Sequence, residues 1–377
     1  MSSDAEKAFE RVRAGIDQVD SELVKLIARR LKLTGEVGKL KAELELPLYV
    51  PEREVQLIKA KRKLAKQANI PPDLVEDVLR RIMRESYVNQ SVTRSQVVPS
   101  KIQKIVVIGG GGQLGSLFVR LFEQSGYQTT VIDKGDWQND EQQLKSASLV
   151  LVAVPIRATL SVIQKLSELN SDCILADITS VKEKPLQEML RIHKGPVVGL
   201  HPMFGPGINN LAKQTIVVCH GREKQKTKWL IEQLELWGAN LSLVDSQEHD
   251  HLMSIIQVLR HFSTVAYGFH LMEENIDLEK VLELSSPIYR LELIMVGRLF
   301  AQNSELYSDI IFSDKQNIPM VKRFIDRLNE LFDTLQKQDK EEFANLFGRV
   351  SNWFDDKAEM FLNESNQLLE KASDIKK

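Results

Sequence analysis

The chain has 377 residues, 43% of them apolar, and its 50 basic and 52 acidic side chains leave a net charge of -2. That length calls for two or three domains, and the near-neutral balance gives no case for nucleic acid or an acidic membrane surface as partner. No apolar stretch reaches membrane-spanning length, the opening Met-Ser-Ser-Asp-Ala-Glu lacks a basic and apolar leader, and Cys173 and Cys219 lack zinc-site spacing. The expectation is a cytoplasmic protein with reduced thiols and no metal.

Residues 5 to 44 contain no proline, and Phe9, Val12, Ile16, Val19, Leu23 and Leu26 recur at steps of three and four. This is one apolar seam of a long helix. Forty helical residues span roughly 60 Å, too long for a compact domain of this size, so the helix is expected to pack against another copy of itself. Pro47 and Pro51 end it; a second helix is expected from about 52 to 68, and a third after Asn69-Ile-Pro-Pro-Asp. Continuing the seam brings Arg30, Leu33, Val37 and Leu40 to the same face, with Lys41 about 20° away. The third helix shows Val75, Val78, Leu79 and Ile82, extended by Ser86 and Gln90. Basic residues on an apolar face call for an anion. The plainer alternative is a dimerisation bundle with snorkelling basic side chains.

Arg13, Arg30, Glu36-Val37-Gly38-Lys39-Leu40-Lys41, Arg53-Glu54 and the Ser86…Gln90 pair make residues 5 to 92 resemble the all-helical chorismate mutase family. The resemblance implies an interlocked dimer of three-helix chains with shared sites. Arg30 and the other copy's Arg13 would hold the substrate carboxylates. Lys41 and Gln90 would donate to the ether oxygen, and Arg53, Glu54 and Ser86 would complete the pocket. Such chemistry needs clamping and aimed donors rather than a nucleophile. Val50 stands where some members carry an aspartate, and no polar contact is assigned to it.

A polar, aperiodic stretch from Ser91 to Lys104 reads as a linker, placed at 93–102. Next comes Ile105-Val-Val-Ile, a buried-strand pattern, then Gly110, Gly112 and Gly115 as G-x-G-x-x-G, a helical segment, and a second strand closed by Asp133. The glycines suit a tight turn, close approach of a pyrophosphate and close helix–strand packing. The helix N-terminus suits phosphates, and the acid suits a ribose 2′-hydroxyl. NAD is therefore the expected cofactor; Lys134 beside Asp133 leaves NADP open. Strand-like runs at Leu149–Val154, Ile174–Thr179, Val197–Leu200 and Thr215–Val218 alternate with helical ones, giving a doubly wound α/β sheet. Val154-Pro155 would border the nicotinamide. Asp177-Ile-Thr-Ser180-Val-Lys182 and His201-Pro-Met-Phe-Gly-Pro206 follow two strand ends. His201 suits a proton acceptor; the bland alternative is a capping or solvated loop histidine.

From Gln247 onward the sequence is helix-permissive. Leu252, Ile255, Ile256, Val258, Leu259 and Phe262 make one helix apolar nearly all round, hence expected to be buried. Asp250, Ser254, Gln257, His261 and Thr264 form a polar stripe along it, which must meet either a ligand or an internal hydrogen-bond network. Arg298 lies in an apolar run and calls for an anion. His249-Asp250-His251 does not suit a metal, because residues two apart on a helix do not face together.

The glycine pattern, Asp177…Ser180…Lys182, the His201 loop, Gln257…His261 and Arg298 resemble the prephenate dehydrogenase family from about 103 to 375. Both resemblances in one chain are those of the bifunctional chorismate mutase–prephenate dehydrogenases of tyrosine biosynthesis. They imply an all-α mutase domain (1–92), an α/β Rossmann-like domain (103–245) and an all-α substrate and dimerisation domain (246–377). They also imply chorismate and prephenate as substrates, a homodimer and tyrosine as feedback inhibitor. His201 would take the C4-hydroxyl proton while NAD+ takes the hydride. Arg298 would bind a carboxylate, with Ser180, Lys182, Gln257 and His261 in the pocket. Two rival readings remain: a dehydrogenase of another hydroxy acid, and a redox-sensing dimer whose N-terminal helices serve only assembly.

Overall fold

The computed structural model describes residues 2–44, 46–90, 104–135, 141–205 and 207–373. The expected linker at 93–102, Pro206 and the side chain of Gln90 lie outside them. The chain divides into two compact units, Met1–His249 and Asp250–Lys377.

The first unit begins with α1 (Ser2–Glu43), α2 (Pro51–Gln67) and α3 (Pro72–Gln90). Pro51 opens α2, where its missing N–H costs no hydrogen bond. Both α1 and α2 pack on α3. The seam from Phe9 to Leu26 remains 51–62% exposed in the single chain, so the surface expected to meet a second copy is present and uncovered.

The sheet has seven strands in the order β2-β1-β3-β4-β5-β6-β7. They are β1 (Lys104–Ile108), β2 (Gln128–Ile132), β3 (Leu149–Val152), β4 (Ile174–Asp177), β5 (Val197–Pro202), β6 (Thr215–Arg222) and β7 (Asn240–Leu243). Pairing is parallel from β2 through β5, with Ile105 opposite Leu149 and Leu149 opposite Ile174. β6 then runs antiparallel to β5, with His201 opposite Val217, and β7 is parallel to β6. The last strand and the reversal extend what the sequence pattern predicts. Helices α4 (Gln113–Gln124), α5 (Glu141–Ser146), α6 (Ile156–Ile163), α7 (Glu183–Ile192) and α8 (Lys224–Leu236) connect the strands. Alternate residues of β1 enter two cores. Ile105 and Val107 pack with Phe118, Phe122 and Trp237, while Val106 and Ile108 pack with Ile132, Ile163 and Met189. Cys173 and Cys219 are both free and buried.

The unit boundary falls inside α9 (Ser246–Met253), four residues beyond the expected end of the nucleotide domain. The second unit is helical: a π-helical turn at Ser254–Leu259, α10 (Arg260–Glu273), α11 (Leu278–Leu284), α12 (Pro287–Phe300), α13 (Ser304–Ile311), α14 (Asn317–Gln336), α15 (Lys340–Phe354) and α16 (Asp356–Ser373). The expected burial of the 252–262 helix is corrected here: Leu252, Ile255 and Ile256 are exposed in the single chain. One packed face satisfies only part of an all-round apolar helix, and the remainder forms open apolar surface.

Candidate active sites

In the helical third, two cations on α1 find neutral oxygen partners. Arg30 Nη1 donates to Ser86 Oγ at 2.9 Å, and Ser86 donates in turn to the Ile82 carbonyl at 2.9 Å. Lys41 Nζ donates to the carbonyls of Pro47 and Leu48, at 3.0 Å each. Burial lowers the pKa of both cations. Among the described residues neither has a carboxylate within ion-pair distance, so the pocket retains net positive charge for an anionic guest.

The other mutase-like positions are distributed differently. Glu54 is buried and faces Arg80 Nη1 (2.9 Å), the Tyr87 hydroxyl (2.9 Å) and Lys213 Nζ (2.5 Å), away from hydrogen-bonding reach of Arg30 and Lys41. Arg53 is exposed. Arg13 is exposed too, beside Glu10 and over the Phe9 ring at 4.5 Å, so one chain does not bring it to Arg30. Val50 is the N-cap residue of α2 and makes no side-chain cap bond.

At the sheet, the glycine turn follows β1. Gly109, outside the expected G-x-G-x-x-G triplet, carries the left-handed backbone (φ 85°), and a Cβ there would lie 2.5 Å from the Ala153 carbonyl oxygen. Gly115 allows α4 to approach that turn, since its Cβ would collide with the Gly109 carbonyl. Gly112 caps α4 with extended backbone and no side chain in the way. Gly110 lies against Val131, and the Gly111 N–H donates to Asp133 Oδ2 at 3.1 Å. Asp133 is thereby held at the β2 end beside the turn, the arrangement a dinucleotide needs for its phosphates and ribose. Val154 packs against Gly109, and Pro155 is the N-cap of α6.

His201, on β5, is 2% exposed. Its Nδ1 is 2.8 Å from His249 Nε2, with the rings edge to face. One nitrogen of this pair donates and the other accepts. His249 is set by α9, whose first turn is capped by Asp245 Oδ1 through the N–H groups of Gln247 and Glu248, 2.9 Å each. Burial, then His249 and Lys182, hold the His201 imidazole well below its ordinary pKa. It is therefore neutral at physiological pH, the protonation state a proton acceptor requires.

Lys182, expected in the substrate pocket, lies deep beside His201. It is fully buried, ion-paired with Asp177, and donates to the Leu200 carbonyl at 2.7 Å. Paired burial of this kind fixes the chain next to His201. Ser180 is half-buried beyond β4.

In the second unit, Gln257 is half-buried in the π-helical turn. His261 is buried in α10 against the Tyr307 ring, at 4.8 Å between centroids. Its Nδ1 has no hydrogen-bond partner among the described residues, and burial lowers its pKa. Arg298, in the last turn of α12, is exposed and not enclosed by apolar neighbours, because the apolar run around it is itself largely exposed. No carboxylate pairs with it among the described residues. Sequence reasoning missed Gly109, His249 as the partner of His201, and Tyr87 and Lys213 beside Glu54. The fourth glycine of the run was a signal for the first; spacing carries none for the others.

Residues 12–91 match the family model described as chorismate mutase type II. Residues 123–242 match the prephenate dehydrogenase nucleotide-binding domain, and 245–349 its dimerization domain. The T-protein of Enterobacter agglomerans is 49% identical over 363 residues, spanning 96% of this chain and 97% of that protein. The chain belongs to the T-protein family. A second T-protein, from Haemophilus influenzae, is 47% identical over 371 residues and 98% of both chains. The prephenate dehydrogenase of Aquifex aeolicus, solved in complex with hydroxyphenyl propionate and NAD+, shares the fold of the dehydrogenase part. Its TM-score is 0.55 at 19% identity, covering 66% of this chain and 96% of that one. This T-protein chain is thus a chorismate mutase joined to a prephenate dehydrogenase, with a helical dimerisation domain last.

Proposed function

We propose that the helical third rearranges chorismate to prephenate and that the remainder oxidises and decarboxylates prephenate to 4-hydroxyphenylpyruvate with NAD+, in tyrosine biosynthesis. The observation that carries this reading is the pair of half-buried cations, Arg30 and Lys41, whose protein partners are neutral oxygens. A dianionic ring supplies the missing charge. Arg30 and a second copy's Arg13 clamp its carboxylates, and Lys41 and Gln90 donate to the ether oxygen as it gains charge. Arg53, Glu54 and Ser86 complete the pocket. The exposed α1 seam supports a homodimer in which that second Arg13 is available.

At the sheet, the Gly109–Gly115 turn and Asp133 fit a dinucleotide, the cradle being one that a Cβ at Gly109 or Gly115 would fill. Bound there, NAD+ would supply the acceptor for the hydride that leaves prephenate C4. Gly110, Gly112 and Gly115 would admit the pyrophosphate, Asp133 would accept from the ribose, and Val154 and Pro155 would border the nicotinamide. Neutral His201 accepts the C4-hydroxyl proton, and loss of the ring carboxylate as CO2 restores aromaticity. Arg298 binds a prephenate carboxylate, with Ser180, Gln257 and His261 as further substrate contacts. Lys182 acts through the Leu200 carbonyl, holding the strand that carries His201. Tyrosine as feedback inhibitor rests on family resemblance, and a reducing, cytoplasmic setting suits two buried free thiols.

Chorismate supplied with and without NAD+ tests the reading. Chorismate should disappear in both samples, with NADH and CO2 formed only where NAD+ is present. Untouched chorismate would sink the mutase assignment, and absence of NADH from supplied prephenate would sink the other.

A further inference from the structure

The mutase third and the nucleotide-binding sheet meet at a built contact within the first unit. The β5–β6 connection is anchored in the sheet core by Leu211, which is fully buried. Two residues later the backbone of Lys213 turns left-handed (φ 65°), with its N–H bonded to the Gly238 carbonyl at 3.0 Å. From there its side chain crosses to the helices. The ammonium lies 2.5 Å from Glu54 Oε1 and over the rings of Tyr49 (5.3 Å) and Tyr87 (5.7 Å). A second grip lies nearby: the Leu48 N–H donates to the Leu236 carbonyl, in the last turn of α8, at 3.1 Å. Leu48 is buried there, and its own carbonyl receives Lys41. The loop that seats Lys41 on one side is therefore held by the nucleotide-binding domain on the other.

From this juxtaposition we infer that Lys213, a residue of the dehydrogenase half, is a positioning residue of the mutase site. The inference rests on the mutase reading above. Glu54 is a buried carboxylate in a site that must accept a dianion. An unbalanced carboxylate there would repel the substrate and swing toward Arg30 or Lys41. Lys213 and Arg80 neutralise Glu54 and, with the Tyr87 hydroxyl, hold it in one orientation. Arg80 is itself shared with Glu76, whereas among the described residues Lys213 pairs with Glu54 alone. The mutase pocket is thus completed from a neighbouring domain of the same chain.

The test uses the full-length chain and both assays. Lys213→Met should lower mutase kcat/KM by about tenfold, chiefly through a higher KM for chorismate, because electrostatic balance is lost while Lys41 stays in place. Oxidation of supplied prephenate should stay within about twofold of the unsubstituted chain. Lys213→Arg, which keeps the charge, should restore most of the mutase loss. Adding Glu54→Gln to Lys213→Met should cost less than Glu54→Gln costs alone, since the charge needing balance is gone. Wild-type chain without mutase activity would remove the underlying reading. An active wild type with unchanged chorismate KM in Lys213→Met, equal loss of both activities, or additive losses in the double variant would overturn the inference alone.

Discussion

The helical site and the sheet site solve the problem of placing a charged group in opposite ways. On α1 the cations stand on a helix whose apolar seam is more than half exposed, and Arg13 is not brought to Arg30 by the single chain. At the sheet, β1, β3, β4 and β5 are buried throughout apart from Lys104, and the groups at their ends are set by the chain's own packing. On the function proposed above, the helical site takes a wall from a second copy, while the groups at the strand ends are braced within one chain. The lesson is that an exposed apolar stripe beside a half-buried cation marks a site still short of a component, whereas a buried ion pair such as Asp177–Lys182 marks one already braced.

The largest effect that would sharpen this contrast is at His201. His201→Asn should lower oxidation turnover by about 10²–10⁴-fold with little change in prephenate affinity; steady-state kinetics showing a change in affinity alone would reduce His201 to a binding group. Next, Lys41→Ala should lower mutase turnover by about 10²–10³-fold while prephenate oxidation persists. Simultaneous loss of both would mean the sites are not separable. A third substitution attacks the borrowed wall: Val19→Asp places a charge in the exposed seam and should cut mutase kcat/KM by at least about tenfold. Sedimentation or light scattering should show altered assembly of the helical part, and normal mutase kinetics would argue against a shared site.

The smallest effect concerns pH. The His201 imidazole has a depressed pKa, so it stays neutral as pH falls through 6.5, where an ordinary histidine charges. The pH profile of kcat/KM for prephenate should therefore lose no activity to this group near pH 6.5 and should fall only at more acidic values. His193, His220 and His261 are likewise lowered by burial. For all four, the unfolded chain binds protons that the folded chain refuses once pH drops below about 6.5. Their contribution to stability is thus neutral above that value and destabilising below it, and Tm should decline from pH 7.5 to pH 5.5.

Much of this was legible in the sequence because the underlying forces are local. The three N-terminal helices follow from seam spacing and from Pro47, Pro51 and the Pro71-Pro72 pair. The strand–glycine–helix–strand–Asp133 order translates directly into β1, α4 and β2. Direction is another matter. β6 is antiparallel and β7 joins the sheet edge, yet a β-branched run reads the same whichever way it points. Position 109 needs glycine both for its left-handed backbone and because a Cβ there would meet the Ala153 carbonyl, a neighbour 44 residues away in a chain read one window at a time. The burial of Lys182 was hidden for the same reason: Asp177 was visible in the sequence, but the Leu200 carbonyl that Lys182 also reaches was not. The polar stripe through Gln257 and His261 assumed a uniform helix, whereas the π-helical turn at Ser254–Leu259 widens the winding and rotates later residues off that line.

The two cysteines give the sheet an internal reporter. Cys173 enters β4 and Cys219 lies within β6; both are at most 1% exposed, and burial pushes the Cys173 thiol up to about 12. Alkylating reagents consume thiolate, so these sulfurs stay silent while the strands remain closed. Their labelling rate is a clock for opening of the sheet, and unequal rates at the two positions would time the separation of its parallel centre from its reversed edge.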